Sequence, residues 1–430
     1  MTSTEAKLVR IEKPVYGGAF LSRLDGKAVF TPLTLPGEEA RIRVVEDKRG
    51  YATAEAEEIV QAAPQRIVPG CRHFGACGGC NYQHANYDAQ VGYKKEILRE
   101  TLERAGVRSP AEIDVLAAEP WRYRNRIRLA FDGAGNFGYR GRRSHSVVAI
   151  GECPIAAPIL LKAATAFTQV VGAIAPALRP TELSLFCNAD ETALLVSIFV
   201  DRAVKAPFED LARAWAEQVP ALVGAELVVS GRANERPRTI ASWGAHFLIY
   251  RAAGADYRVD HGGFFQVNRW LVDALVECVT ADGKGKLAWD LYAGVGLFAR
   301  KLASDFDRVV AVESAPSSTA ALKENLRETR AEAIQSETLS FLRRQRNEQP
   351  DLIVVDPPRT GLGPETTAQL VRIAPQAITY VSCDPATLAR DLRALGNSGY
   401  AIESLTLADL FPQTFHLETV VKLWRKLIRC

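Results

Sequence analysis

The chain predicts an α/β protein. Its last third reads as a doubly wound parallel sheet, its start as a small OB-like β-barrel, and the stretch between as a mixed α/β domain. Three observations carry this. Four apolar runs, 287–292, 309–313, 352–356 and 377–382, alternate with helix-length stretches, as strands buried on both faces of a parallel sheet require. Turn signals at Gly17-Gly18, Asp25-Gly26, Pro36-Gly37 and Lys48-Arg49-Gly50 cut the first segment into short strands. Three cysteines fall in one loop, 71–80, beside glycines that let the backbone turn tightly around a central object.

With 430 residues there is room for two or three domains. We divide the chain at 1–62, 63–258 and 259–430. Hydrophobic residues make up 47% and charged residues 24%, the balance of an ordinary globular chain. The longest apolar stretch, 163–178, contains Gln169 and Pro176 and is too polar to cross a membrane. Met1-Thr2-Ser3-Thr4-Glu5-Ala6-Lys7 holds no apolar signal core, so a cytoplasmic protein is expected, and a monomer. The net charge of +3 implies nothing about nucleic acid on its own. Eight cysteines without a leader point to metal ligation or catalysis rather than to disulfides.

Ala28-Val29-Phe30 and the run 40–45 read as strands of the barrel, a unit that often binds RNA. A packing module without a ligand is the alternative, because acids nearly balance bases there. Cys71, Cys77 and Cys80 need a fourth ligand. Cys153, beside the turn-forming Pro154, is the natural candidate, and His73 is its nearest rival. Four thiolates suit either zinc or a 4Fe–4S cluster. Structural zinc usually shows two paired units, so three clustered cysteines with one remote favour the cluster.

Residues 87–105 read as a helix with Ile97, Leu98 and Leu102 on one face and Gly106 as its stop. That helix is free to pack on the last domain. From Trp121 to Phe131 the sequence alternates strictly. One strand there puts Arg122, Arg124, Arg126 and Arg128 on one face, and Trp121, Tyr123, Ile127, Leu129 and Phe131 on the other. Four guanidinium groups on one face call for an anion, so a phosphate-tracking RNA face is expected. A charge-protected edge strand is the alternative. A hairpin over 183–200 turning at Asn188-Ala189-Asp190-Glu191, a helix over 208–219, and strands at 228–230 and 247–250 complete this part.

In the last segment, Leu287-Ala288-Trp289-Asp290-Leu291-Tyr292 runs into Ala293-Gly294-Val295-Gly296 and then a helix. The third glycine of the dinucleotide fingerprint is absent, which argues against NAD. Val309-Val310-Ala311-Val312 ends in Glu313, placed to accept both hydroxyls of a ribose. Leu352-Ile353-Val354-Val355 leads into Asp356-Pro357-Pro358-Arg359. The fourth strand breaks at Ser382-Cys383-Asp384-Pro385. Cys383 therefore sits just past a strand's carboxyl end, where ligands and chemistry collect in open α/β sheets. A small core filler is the plain alternative. The set fits an S-adenosylmethionine fold better than a nicotinamide one.

These motifs, with Phe264-Phe265-Gln266-Val267-Asn268 and His416-Leu417-Glu418, run through nearly the whole chain. In that order they resemble the RNA 5-methyluridine methyltransferases that carry a TRAM barrel and a 4Fe–4S cluster and act on 23S rRNA. The resemblance implies S-adenosylmethionine as cofactor, with Gln266, Tyr292, Gly294, Gly296, Glu313 and Asp356 around it and the target base. It implies Cys383 as nucleophile, Glu418 as base, and Cys71, Cys77, Cys80 and Cys153 as cluster ligands. It favours a large-subunit ribosomal RNA over a tRNA. Leu297 departs from the pattern, since many relatives have a polar residue there, often Asn; a cofactor contact is missing or replaced. Glu337 is a candidate for the contact after the strand that follows Glu313.

The implied chemistry needs those residue types. C5 of uracil is a poor nucleophile until a thiolate adds at C6. A carboxylate must then take the C5 proton before the thiol can leave. Two other readings are an amino-group RNA methyltransferase, which needs no cysteine, and a non-enzymatic RNA-binding iron–sulfur protein. The coexistence of Glu313, Asp356, Cys383 and Glu418 speaks against the second. Cys187, Cys278 and Cys430 read as structural or incidental.

Overall fold

Alternating burial shapes the first unit. In β1 (Lys7–Val15), Val9 and Ile11 point inward. β2 (Ala19–Leu24), β3 (Lys27–Pro32), β4 (Glu39–Asp47) and β5 (Tyr51–Gln61) add Phe20, Val29, Ile42 and Ala54 to the same small core. The strands close in the order β1-β2-β3-β5-β4, so the expected barrel is present. The computed structural model describes residues 6–203, 207–231, 237–281 and 283–426; Cys430 and the leading residues 1–5 lie outside these. Among the described residues no helix is long and apolar enough to cross a membrane.

Asn86 opens α1 (Tyr87–Arg104) by accepting a hydrogen bond from the Ala89 amide at 2.9 Å. Its Ile97, Leu98 and Leu102 pack with Trp289, Val310 and Ile353 of the last sheet. β6 (Asp114–Leu116) follows and joins that sheet as an edge strand. The last sheet therefore takes a strand and a covering helix from inside the stretch 63–258.

β7 (Arg126–Phe131), β8 (Phe137–Arg140), β9 (Val147–Ala149), α2 (Pro158–Ile174), β10 (Pro180–Cys187), β11 (Leu194–Val200), α3 (Phe208–Gln218), β12 (Leu222–Val229) and β13 (Arg238–Gly244) follow. Their strands form a sheet in the order β13-β12-β11-β10-β7-β8-β9, and α2 and α3 share its apolar core. A hairpin of β14 (Phe247–Ala252) and β15 (Ala255–Asp260) comes next.

The strand expected from Trp121 begins only at Arg126. Before it, Arg122 has φ +52°. The backbone amides of Arg122, Arg124 and Asn125 go to loop carbonyls instead of a ladder. Arg122 donates to Pro154, Arg124 to Ile155 and Asn125 to Val267, each within 2.9–3.0 Å. Arg122 therefore leaves the expected face, whereas Arg124, Arg126 and Arg128 still line one cavity together. Arg122 and Arg128 are exposed, whereas Arg124 and Arg126 are largely sunk into the protein.

The last unit contains α4 (Val272–Thr280), β16 (Gly285–Leu291), α5 (Leu297–Asp305), β17 (Phe306–Glu313), α6 (Pro316–Leu326), β18 (Ala331–Gln335), α7 (Thr338–Arg344), β19 (Leu352–Val355), α8 (Gly363–Ile373), β20 (Ala377–Ser382), α9 (Pro385–Asn397), β21 (Tyr400–Ala408) and β22 (Glu418–Arg425). The sheet order is β18-β17-β16-β19-β20-β22-β21-β6. The first five strands are mutually parallel, and β22 runs antiparallel to both β20 and β21.

The loop between β21 and β22 is tied from several sides. Lys94 Nζ meets Asp409 Oδ1 at 2.6 Å with both side chains 0% exposed, and Tyr87 donates to the other carboxylate oxygen at 2.8 Å. Lys94 also donates to the Phe411 carbonyl. Gln90 bonds Gln413 through both side-chain and backbone atoms, Tyr123 donates to the Pro412 carbonyl, and Asn268 to that of Leu410. Removing one member of a buried pair strands the other charge. Lys94→Met should therefore cost ~3–5 kcal/mol of unfolding free energy in urea, and adding Asp409→Leu should recover much of it. A single-variant loss near zero would show that the pair is solvated.

Candidate active site

Sheet topology brings the sequence-predicted residues to one edge. β16, β17, β19 and β20 are parallel, so their carboxyl ends coincide. β22 runs the other way, so its first residue, Glu418, lies at that same edge. The register pairs Ser382 with Thr419, which sets Cys383 beside Glu418.

The site's electrostatics follow from this crowding. Burial pushes the Cys383 thiol up to about 11, helped by Glu418 and Asp356 and opposed by Arg359. Glu418 is 6% exposed, and burial followed by Asp356 holds its carboxyl well above the carboxylate range, again opposed by Arg359. Burial raises Asp356 to about 7. Arg359 is thus a cation facing the thiol and Glu418. It lies 3.3 Å from the His416 ring, whose pKa burial lowers to about 4. The Asp391 carboxylate fastens the loop after Asp-Pro-Pro, accepting from the Leu362 amide and the Tyr380 hydroxyl at 2.8 and 2.9 Å.

The glycine turn after β16 is built from left-handed residues: Tyr292 at φ +67°, Gly294 at +56° and Gly296 at +92°. A Cβ on Gly294 would meet nothing within 4 Å, so open space lies over it; one on Gly296 would strike Leu322 at 2.7 Å. Glu313 holds the turn, one oxygen accepting from the Gly294 amide at 3.0 Å and the other from Ala315 at 2.7 Å. Gln266 is buried, with its carbonyl accepting from the Asn125 amide group at 2.9 Å. Tyr292 turns its hydroxyl toward Thr338 and Thr366, beside Glu337, which precedes α7. Leu297 fills the core rather than the open side of the turn.

Three residues were missed or misjudged from sequence. Asp290 ends inside the sheet with Oδ2 accepting from the Ala299 amide and Oδ1 buried without a partner; burial, Asp356 and Glu313 push it to about 8. An acid inside an apolar strand was the available signal. Tyr16, just after β1, puts its hydroxyl 3.4 Å from the Cys383 carbonyl and packs edge-on against Phe415. Nothing local could reveal a contact between the barrel and the Cys383 loop. Asp384, a conceivable alternative base, caps α9 through the Ala386 and Thr387 amides at 3.0 and 2.9 Å.

Away from this edge, Cys71, Cys77, Cys80 and Cys153 line one cavity of about 70 Å³, with His73, Arg124 and Tyr139 in its wall. Burial raises Cys77, Cys80 (to about 12) and Cys153. Among the described residues no three His, Cys, Asp or Glu side chains are gathered tightly enough to hold a metal ion as placed; the thiols ring a space instead. Cys187 is buried in the middle core, and Cys278 is half-buried.

Residues 341–426 match the tRNA (uracil-5-)-methyltransferase family, and residues 5–56 match the TRAM domain. An uncharacterized RNA methyltransferase of Streptomyces avermitilis is 36% identical over 96% of each chain. A 23S rRNA (uracil(1939)-C(5))-methyltransferase of Halomonas elongata is 31% identical over 93% of this chain and 85% of its own. The chain belongs to the RNA (uracil-5-)-methyltransferase family. The tRNA (uracil-54, C5)-methyltransferase of Pyrococcus abyssi, solved with S-adenosyl-L-homocysteine, superposes with a TM-score of 0.80 at 25% identity, covering 96% of this chain and 99% of that one.

An RNA (uracil-5-)-methyltransferase uses S-adenosylmethionine, and the turn fits that cofactor: open space over Gly294, the Glu313 carboxylate at its edge, and an unsatisfied Asp290 oxygen beneath. The raised carboxyls give a pH signature in the cofactor-free enzyme. Folded, Asp290 and Asp356 keep protons that the unfolded chain releases near pH ~4. The folded state binds more protons over that interval, so its stability falls as pH rises from about 4 toward 8. Asp290→Asn should flatten part of that fall in thermal melts across the range. Superimposable wild-type and variant profiles would mean that Asp290 is ionised in the native protein.

Proposed function

We propose that this methyltransferase methylates C5 of a uridine in 23S rRNA through a covalent bond between Cys383 and C6. The observation that carries the mechanism is the antiparallel register that sets Cys383 beside Glu418, with Asp356 and Arg359 facing both. The ribosomal substrate is supported by the relatives from Halomonas elongata and Shewanella amazonensis, which are 31% and 30% identical and carry that activity in their names.

The chemistry follows from the residues. The Cys383 thiol releases its proton to solvent, favoured by the Arg359 charge, and the thiolate sulfur adds to C6. The C5–C6 electron pair moves onto C5 and O4, an enolate that Gln266, Asp356 or backbone donors can hold at the uracil carbonyls. S-adenosylmethionine supplies an electrophilic sulfonium methyl; C5 attacks it, and the carbon–sulfur bond of the sulfonium breaks. Glu418, made more basic by burial, takes the C5 proton, and the electrons expel the Cys383 thiolate. Both faces of the C5–C6 bond must be reached, so the base leaves its stack. Tyr292, Gly294, Gly296 and Glu313 are the proposed cofactor contacts, with Gln266 and Asp356 between cofactor and base.

We assign Cys71, Cys77, Cys80 and Cys153 to a 4Fe–4S cluster. Four thiols around a cavity suit a multi-atom cluster better than one tetrahedral ion, whose thiolates crowd to ~2.3 Å from the metal. Bound there, the cluster would tie Cys153 to a loop far away in sequence. Protein purified without oxygen should contain iron and acid-labile sulfide; zinc without iron would overturn the assignment.

The mechanism is tested by trapping. Labelled 23S rRNA and tRNA fragments are incubated with a radioactive methyl donor and run on a denaturing gel. Glu418→Gln should accumulate a slow band with both labels, stalled after methyl transfer, whereas Cys383→Ala should bind RNA and cofactor and give no such band. Methylation of uridine C5 by Cys383→Ala would rule the mechanism out. Product on tRNA alone would retain the chemistry and replace the ribosomal substrate.

A further inference from the structure

The middle sheet carries a cavity of about 770 Å³ that the mechanism does not use. Arg126 is in its wall. Its Nε and Nη2 atoms are buried without a hydrogen-bond partner, and its guanidinium lies 4.1 Å from the centre of the Phe186 ring. Among the described residues no carboxylate pairs with it. Burial alone lowers its pKa, to about 10. A guanidinium taken out of water without an anion is costly. Phe186 supports one face of the ion and leaves its donors unsatisfied.

Two other charges in the cavity are already engaged. Arg128 is ion-paired with Glu182 and lies over Phe199. Glu226 faces the same space, but its oxygens accept from Ser197 at 2.6 Å and Thr239 at 3.0 Å, and the His261 ring stands 3.8 Å away. Arg124 lines both this cavity and the thiol cavity, and it too keeps one buried donor, Nε, without a partner. Arg126, with two unpartnered donors against one on Arg124, is the cation of this cavity most in want of a partner. Val267, next in the chain to Gln266, also lines the cavity, which places it close to the segment proposed to meet the target base.

We propose that this cavity is an RNA subsite in which Arg126 receives a backbone phosphodiester of the strand next to the target uridine. The inference rests on the RNA reading above and adds a second anchoring point to it. A phosphate oxygen satisfies the two open donors and neutralises the buried charge at once.

The test uses a single-stranded, uridine-containing RNA oligonucleotide, titrated over a salt series, with Arg126→Met and Arg126→Lys. One lost phosphate contact lowers the slope of log affinity against log salt by about 0.7, and affinity at low salt falls roughly fivefold to tenfold. Arg126→Lys should restore most of the slope. Affinity for S-adenosyl-L-homocysteine should not change. Removing an unpaired buried charge should also raise the thermal midpoint of the free protein. An unchanged salt slope with Arg126→Met overturns the subsite. A lowered midpoint overturns it too, because it would mean that Arg126 has a structural partner in the fold. Trapping by Cys383 at saturating RNA should persist in Arg126→Met, so failure of the subsite is distinguishable from failure of the methylation mechanism.

Discussion

The buried pair of Lys94 and Asp409 is the constraint on which the rest depends. Neither charge tolerates the loss of its partner, since both are fully withdrawn from water. They meet only when α1, which precedes the middle sheet in sequence, packs against the loop between β21 and β22. That loop then collects Gln90, Tyr123 and Asn268 as well. It ends at Glu418. Closing the fold and placing the carboxylate proposed as base are therefore one event.

At the sheet's carboxyl edge the protein gathers groups that repel one another. Cys383, Glu418, Asp356 and Asp290 are each pushed toward their neutral forms by burial and by their neighbours. Such a cluster weakens the fold and suits proton transfer, the trade common at functional sites. Arg359 is the counterweight, and the Asp391 carboxylate fixes the loop that follows it. Tyr16 carries the barrel's first strand to the same place, so the barrel and the Cys383 loop touch directly.

The middle of the chain is organised around a second set of unpaired groups. The backbone of residues 122–125 is captured by two loops, and that capture turns Arg124 and Arg126 inward. Arg124 stands between the thiol cavity and the groove of the middle sheet. Cys153 reaches the cysteine loop across more than seventy residues of sequence. The link is made by sheet packing rather than by local turn geometry.

Much of this protein was legible in local pattern. Val- and Ile-rich runs identified the parallel strands because burial on both faces admits little else, and each run ended at the residue that now stands on the active edge. Turn residues outlined the barrel, and the gathering of Cys383, Glu313 and Asp356 followed from strand direction, whereas Glu418 was reached only through the family resemblance. Tertiary structure decided what periodicity cannot encode. Strict alternation from Trp121 to Phe131 looked like one strand, yet loop carbonyls outcompeted a ladder for its first amides, took Arg122 off the shared face and left Arg124 and Arg126 sunk in a cavity wall. The recruitment of α1 and β6 into the last sheet, the partner of Lys94 and the reach of Tyr16 to Cys383 all join segments far apart in sequence. Such contacts are chosen by the closure of whole elements around buried charge, and a single chain read in order carries no signal of which distant residue will meet them.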